Sequence, residues 1–178
     1  MRKLKVTELK RIDVRQFKAS GKTPLTVVLD DVRSMYNVGS VFRTADSFRL
    51  EKIMLCGITA CPPHPEIHKT ALGAELSMEW KKCENTIEVV NKLHEEGYEV
   101  YALEQVEHSV PLQNFKVEHG KKYALILGNE VKGVSQEAVN ICDGAIEIPQ
   151  FGTKHSMNVS VSGGIAIWQI ASQLLKLQ

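Results

Sequence analysis

The sequence predicts a single α/β domain with a mostly parallel sheet flanked by helices. Short runs rich in valine, isoleucine and leucine alternate with segments whose apolar residues recur at helical spacing, the pattern of successive strand–helix–strand units. No internal repeat, low-complexity tract or long linker interrupts that alternation over the 178 residues, a length that suits one hydrophobic core. Polar and glycine-bearing stretches follow Leu29, Leu127 and Ile148, at the carboxyl ends of the strands, where open parallel sheets bind ligands.

The elements follow in order. Val6 to Phe17 carries Val6, Leu9, Val14 and Phe17 at a loose helical spacing. After Lys22-Thr23-Pro24, LTVVLDDV reads as a buried strand. Asn37 to Phe48 reads as a helix with Asn37 as its N-cap and Val41, Phe42, Ala45 and Phe48 apolar. KIMLCG is a second strand, Cys61-Pro62-Pro63-His64-Pro65 a stiff loop, and Leu76 to Trp80 a short strand. Asn85 to Glu96 is a helix with Ile87, Val90, Leu93 and His94 on one face and Gly97 just past its end. YEVYALE, YALILG and GAIEIP are three further strands. Ser135 caps a short helix to Cys142 between the last two, and Asn158 to Leu177 is a long closing helix.

Composition narrows the classes of function. Hydrophobic residues make up 43% and charged residues 24%, ordinary for a globular domain. No apolar run approaches the ~20 residues that cross a bilayer, and the basic start MRKLKVTELKR lacks the apolar core of a secretory signal. A cytoplasmic location without a membrane partner is expected. Cys56, Cys61, Cys83 and Cys142 are scattered without a CxxC pair, so free thiols are expected. Cys61, His64 and His68 have a spacing that could hold zinc, but three prolines stiffen that loop and no second close pair completes a tetrahedral set. No metal site is expected. Net charge is only +1, yet eight basic side chains against two acidic ones leave residues 1–22 at +6 and the remainder at −5. Residues 1–22 then read either as a basic arm that grips phosphates or as a solvated helix with a lysine fringe, ahead of a domain spanning 23–178.

Three stretches could carry chemistry. In Asn37-Val38-Gly39-Ser40-Val41-Phe42-Arg43-Thr44-Ala45, a capped helix start favours an anion and Arg43 can hold a phosphate with two prongs. The same spacing also fits an ordinary cap followed by an Arg43–Asp46 pair. Leu127-Gly128-Asn129-Glu130-Val131-Lys132-Gly133-Val134-Ser135 nearly fits a phosphate loop, but Val134 stands where its lysine must be, which rejects an NTPase. GxGxxG is absent, which counts against a dinucleotide-binding dehydrogenase. What remains is a tight glycine turn that exposes backbone groups and the Glu130 carboxylate. In Ile148-Pro149-Gln150-Phe151-Gly152-Thr153-Lys154-His155-Ser156-Met157-Asn158-Val159-Ser160-Val161, a strand end runs through a polar loop into a helix, with Ser156 and Asn158 both credible caps. Gly163 and Gly164 inside that helix cost roughly 1 kcal/mol each against alanine, which implies close approach by another backbone. Trp80 and Trp168 read as core or interface residues.

Taken in order, NVGSVFRTA, LGNEVKGVS and IPQFGTKHSMNVSV resemble the three motifs of the SpoU/TrmH family of RNA 2′-O-methyltransferases, in the SPOUT superfamily. The resemblance runs from about Leu25 to the C-terminus and suits the short members that lack a large separate RNA-binding domain. It implies a C-terminal trefoil knot, a homodimer, S-adenosyl-L-methionine as methyl donor, and transfer to a ribose 2′-hydroxyl of tRNA or rRNA. By position, it implies that Asn37 and Arg43 face the RNA and ribose, and that Gly128 and Glu130 border the donor pocket. Ile148, Ser156 and Met157 would line the donor, Asn158 would fix the active-site loop, and Leu103 would pack on the adenine. Asn37, Arg43, Glu130, Ser156 and Asn158 are therefore the candidate catalytic group. Val131-Lys132 departs from a smaller, often glycine-containing step, and Gln150-Phe151 falls where the family varies; both bear on substrate choice. A non-catalytic knotted RNA-binding protein and a base-nitrogen methyltransferase remain the alternatives.

Overall fold

A computed structural model describes residues 1–176. The chain alternates strands and helices as expected: α1 (Val14–Ala19), β1 (Thr23–Asp30), α2 (Met35–Ser47), β2 (Leu50–Cys56), α3 (Pro65–Ala71), α4 (Ala74–Ser77), β3 (Trp80–Cys83), α5 (Thr86–Glu95), β4 (Tyr98–Leu103), β5 (Val110–Pro111), β6 (Lys122–Leu127), α6 (Gln136–Ile141), β7 (Gly144–Glu147) and α7 (Val159–Lys176). The seven strands form one sheet in the order β3-β2-β1-β6-β4-β7-β5, and every pairing is parallel.

The valine-rich first strand is buried on both faces because helices cover both sides of the sheet. Leu25, Val27 and Leu29 point toward α2 and α7, together with Phe42, Leu125, Leu127, Ile167 and Ile170. Val28 points the other way, toward Val90 and Leu93 of α5 and Ala138 of α6. This alternation is the period-2 pleat of a strand.

Four local expectations are corrected. Ser34, not Asn37, caps α2: its hydroxyl accepts the Asn37 N–H at 3.3 Å, which starts the helix three residues earlier and leaves the Asn37 carboxamide inside. The segment expected as a strand from Leu76 to Trp80 is the one-turn helix α4 and then β3, which pairs with β2 from Trp80 onward. The proline-rich loop ends at His64, whose Nδ1 accepts the Glu66 N–H and starts α3 with Pro65 in its first turn. Residues 6–17 form a single-turn 3₁₀ helix at Val6–Leu9 and then α1, rather than one helix.

Glycines in two helices sit where chains crowd, though not as expected. A Cβ on Gly163 would lie 2.6 Å from Leu127 Cδ1, so the approaching group is a side chain of β6 and not a backbone. Gly164 has nothing within 4 Å. The backbone approach occurs in α2 instead: a Cβ on Gly39 would lie 2.2 Å from the Ile67 carbonyl oxygen, so this glycine is what lets α3 lie against α2. Leu177 of the expected closing helix lies outside the described residues. No helix among the described residues is long and apolar enough to cross a membrane.

Candidate active site

A cleft of about 510 Å³ opens at the carboxyl ends of β4, β6 and β7, within the usual size range for a small-ligand site. It brings together three stretches that lie far apart in the chain. Leu103 ends β4 and Gln105 follows it, Gly128 to Gly133 follow β6, and Ile148 and His155 to Asn158 follow β7. Leu103, Ile146, Ile148 and Val159 supply apolar wall. Backbone and polar groups face them from the glycine turn.

The turn after β6 has its shape for steric reasons. Asn129 and Gly133 bond each other's backbone reciprocally at 2.9 Å, and Asn129 Oδ1 accepts the N–H groups of Val131 and Lys132. Gly133 has φ +70°, a left-handed conformation that glycine adopts at little cost. A Cβ on Gly128 would lie 2.1 Å from Gly133 C and Val134 N, so only glycine fits there. Carboxylates behind the turn hold it: Glu104 accepts the Val134 N–H at 3.0 Å, and buried Asp30 accepts the Ser135 N–H at 2.8 Å and the Thr86 hydroxyl at 2.6 Å. Ser135 stands at the start of α6 as expected, but it acts there through its backbone and its side chain makes no cap bond. Glu104 and Asp30 had no sequence signal. An acidic residue at a strand end is recognisable as a clamp only once its backbone partners are known.

Beside the cleft a hydrogen-bonded line joins the stretches after β6 and β7 to the start of α2. The Glu130 carboxylate accepts the Arg33 and Ser34 N–H groups, each at 2.9 Å, and the Asn37 side-chain amide at 2.9 Å. Asn37 Oδ1 in turn accepts the Asn158 amide at 3.1 Å. Asn158 Oδ1 takes the N–H and hydroxyl of Ser160 at 2.9 and 2.7 Å, so Asn158 also caps α7. This line fixes every amide orientation: Asn37 must donate to Glu130 and accept from Asn158. Burial alone would raise the Glu130 pKa, but the three donors outweigh it and hold the carboxyl below its ordinary value.

The remaining candidates fall as follows. Ser156 and Met157 line the cleft in a stretch that is neither helix nor strand, tied to the segment after β4 by the Gln105 side-chain amide on the His155 carbonyl at 2.9 Å. Phe151 stands in the same stretch with its ring almost wholly in solvent, 97% exposed. Arg43 is exposed on α2, outside the cleft lining. The Arg43–Asp46 pairing open from spacing does not form; Asp46 accepts the Ser77 hydroxyl at 2.5 Å instead. The zinc-like residues are otherwise engaged, with His64 capping α3 and His68 Nδ1 2.5 Å from Glu75. Among the described residues no cluster of three potential metal ligands exists. All four cysteines are free, and burial pushes the Cys56 and Cys142 thiols up to about 12, which leaves them protonated and unreactive.

Comparison with known proteins decides the family. Residues 24–168 match the model of the SpoU rRNA Methylase family. The chain belongs to that family. Among its relatives, a tRNA (guanosine(18)-2′-O)-methyltransferase of Thermus thermophilus is 29% identical over 170 residues, covering 96% of this chain and 86% of the relative. A 23S rRNA (guanosine-2′-O-)-methyltransferase of Vibrio parahaemolyticus is 27% identical, covering 94% of this chain and 67% of the relative. Among solved structures, the A. aeolicus TrmH/SpoU tRNA modifying enzyme superposes with a TM-score of 0.80 at 24% identity, covering 92% of this chain and 83% of that one. An AdoMet-bound rRNA methyltransferase from Sinorhizobium meliloti superposes with a TM-score of 0.78 at 24% identity, covering 88% and 59%. At that identity the SpoU likeness of these structures concerns the fold: the parallel sheet flanked by helices is the SpoU arrangement.

Proposed function

We propose that this chain transfers a methyl group from S-adenosyl-L-methionine to a ribose 2′-hydroxyl of tRNA or ribosomal RNA. The observation that carries this reading is the line Glu130–Asn37–Asn158, which joins the three family motifs beside one cleft. The lining suits the donor: apolar Leu103 and Ile148 for an adenine, the backbone of the turn whose Gly128 and Gly133 leave no room for a Cβ, and polar Ser156 beside flexible Met157. Bound there, the donor supplies an electrophilic methyl on a sulfonium.

The protein's own task is then alignment. A ribose hydroxyl is a poor nucleophile until its proton is shared, and holding oxygen, methyl and sulfur in line contributes many kcal/mol, up to about 10. Asn37, fixed by Glu130 and Asn158, presents the edge of α2 to the ribose. Arg43 makes no ion pair among the described residues, so its charge is available to an RNA phosphate and to the developing alkoxide. A guanidinium stays protonated at any ordinary pH, so Arg43 acts as a cation and not as the base. The proton passes to a phosphate oxygen or to water.

Three further readings belong to the same proposal. The C-terminal half is threaded as a trefoil knot, a rare exception among folds; the tie from Gln105 to His155 and the contact of Asn158 with α2 support a loop returning over β4. The protein is a cytoplasmic homodimer. Val161, Ile165, Trp168 and Leu175 recur along one exposed face of α7, an apolar stripe with Gly164 beside it that a second copy would cover. Residues 1–22 act as a basic arm for RNA. Residues 1–16 are all exposed, Phe17 anchors α1 in the core, and of the eight basic groups Arg2 pairs with Glu8 while the Lys22 ammonium turns onto the Phe17 and Ser20 carbonyls.

The test is direct. Labelled donor, purified protein and unmodified tRNA or ribosomal RNA are incubated, and the RNA is digested to nucleosides. Label on a ribose supports the reading. Label on a base nitrogen assigns the protein to base methylation, and RNA binding without donor binding marks a non-catalytic protein.

A further inference from the structure

The face of α2 that bears Tyr36 and Arg43 lies outside the cleft lining and takes no part in the hydrogen-bonded line just described. Tyr36 and Arg43 are seven residues apart, nearly two full turns, so their side chains leave the helix in the same direction about 10 Å apart along its axis. Both are exposed, Tyr36 to 44%. Between and beyond them on the same face are Ser40 and Ser47. Their hydroxyls fold back onto the Tyr36 and Arg43 carbonyls at 2.8 Å each, so nothing tall stands between the phenol ring and the guanidinium. The result is a trough with an aromatic wall at one end and a cation at the other.

α3 completes it. Gly39 admits the α3 backbone against α2, and the Thr70 hydroxyl donates to the Tyr36 carbonyl at 2.9 Å, which fixes the two helices in register. This places exposed Lys69 with its ammonium 6.0 Å from the Tyr36 ring centroid, at the outer limit of a cation–π contact. A surface tyrosine with a lysine on one side of its ring, a second cation two turns away and Asn37 next in sequence is well matched to single-stranded RNA. Bases stack on exposed aromatic rings while cations take the phosphates.

We propose that Tyr36, Lys69 and Arg43 form a nucleotide shelf on which a base next to the methylated nucleotide stacks on Tyr36 while Lys69 and Arg43 hold the flanking phosphates. The assignment rests on the RNA methyltransferase reading and adds to it where the neighbouring nucleotide binds. It also makes Tyr36 a specificity determinant, because a base that cannot unstack from its own helix cannot reach the shelf.

The experiment uses the intact protein and an RNA fragment whose methylated nucleotide has been located by mapping 2′-O-methyl positions along the RNA. Fragments are prepared with each neighbouring base removed in turn, leaving the sugar and phosphate. The unmodified protein is expected to lose about tenfold in affinity at one neighbouring position. Tyr36→Leu should bind intact RNA about tenfold more weakly, raise KM for RNA more than it lowers kcat, and no longer sense base removal there. Tyr36→Phe should behave as the parent. Lys69→Gln should reduce the salt dependence of binding by about one phosphate contact. Equal binding of every base-deleted fragment, together with an unchanged salt slope in Lys69→Gln, overturns the shelf even if Tyr36→Leu fails to fold. A parent protein that methylates no RNA overturns the functional reading itself, whereas methylation with no Tyr36 or Lys69 effect overturns only the shelf.

Discussion

Replacing Gly128 by alanine tests the steric logic of the site most sharply. The added Cβ would lie 2.1 Å from Gly133 C, 2.1 Å from Val134 N and 2.4 Å from Gly133 O. These are backbone atoms, so no side chain can swing aside. Reaching an ordinary contact of 3.4 Å needs a displacement of roughly 1.3 Å. Gly133 and Val134 are held by the reciprocal bonds to Asn129 and by the Val134 N–H on Glu104, so the shift breaks or weakens these. Two neutral bonds at about 1 kcal/mol each and one charge-assisted bond at about 1.5–3 kcal/mol give a cost of about 3–5 kcal/mol. For a domain of this size that corresponds to a fall in Tm of about 10 °C. Urea unfolding gives the free energy directly, and calorimetric titration with S-adenosyl-L-methionine reads the cleft. Gly21→Ala is the control: nothing lies within 4 Å of the added atom, and its effect should stay within about 1 kcal/mol. If Gly128→Ala unfolds within about 0.5 kcal/mol of the parent and binds the donor normally, the steric account of this turn is wrong.

Three other outcomes are expected. Arg43→Ala should abolish methyl transfer and leave donor affinity largely intact, since Arg43 lies outside the cleft lining; near-parental turnover in a radiolabel assay would remove Arg43 from the chemistry. Glu130 is held below the ordinary carboxylate pKa by its three donors, so its contribution to stability is fully present above that ordinary value and disappears as pH falls through the lowered one. Glu130→Gln places an amide donor against an N–H, and should lower stability at neutral pH by about 1–2 kcal/mol while flattening the acid limb of the stability–pH curve; an unchanged limb would show that the carboxylate is not the titrating group. Trp168 is 55% exposed with its ring 5.3 Å from that of Phe48, in the middle of the α7 stripe. Trp168→Lys should yield a monomer in sedimentation velocity, and a dimer of unaltered stability would place the subunit contact elsewhere.

Much of this molecule was legible because its signals are local. β1 shows as an unbroken apolar run, since a strand covered on both faces needs apolar residues in both directions. Gly128, Glu130 and Asn158 were identifiable as turn, carboxylate and cap from their neighbours, and the three motifs in order were enough to name the family. The misjudged elements are also local in kind. Ser34 and Asn37 are both good caps three residues apart, and the sequence does not say which one the helix uses. Leu76 to Trp80 joins the end of a one-turn helix to the start of a strand, and so carries neither period cleanly.

What the sequence by itself determined is therefore the α/β class, the strand ends where chemistry gathers, and the residue types available there. Only the tertiary structure decided how those residues are used. Asn37 became the link between Glu130 and Asn158, partners 93 and 121 residues away, and Gly39 and Gly163 became the places where α3 and Leu127 approach. The physical reason is range. Propensity and periodicity report on a few neighbouring residues, whereas a hydrogen bond or a steric gap between distant segments exists only after the sheet has brought their ends together.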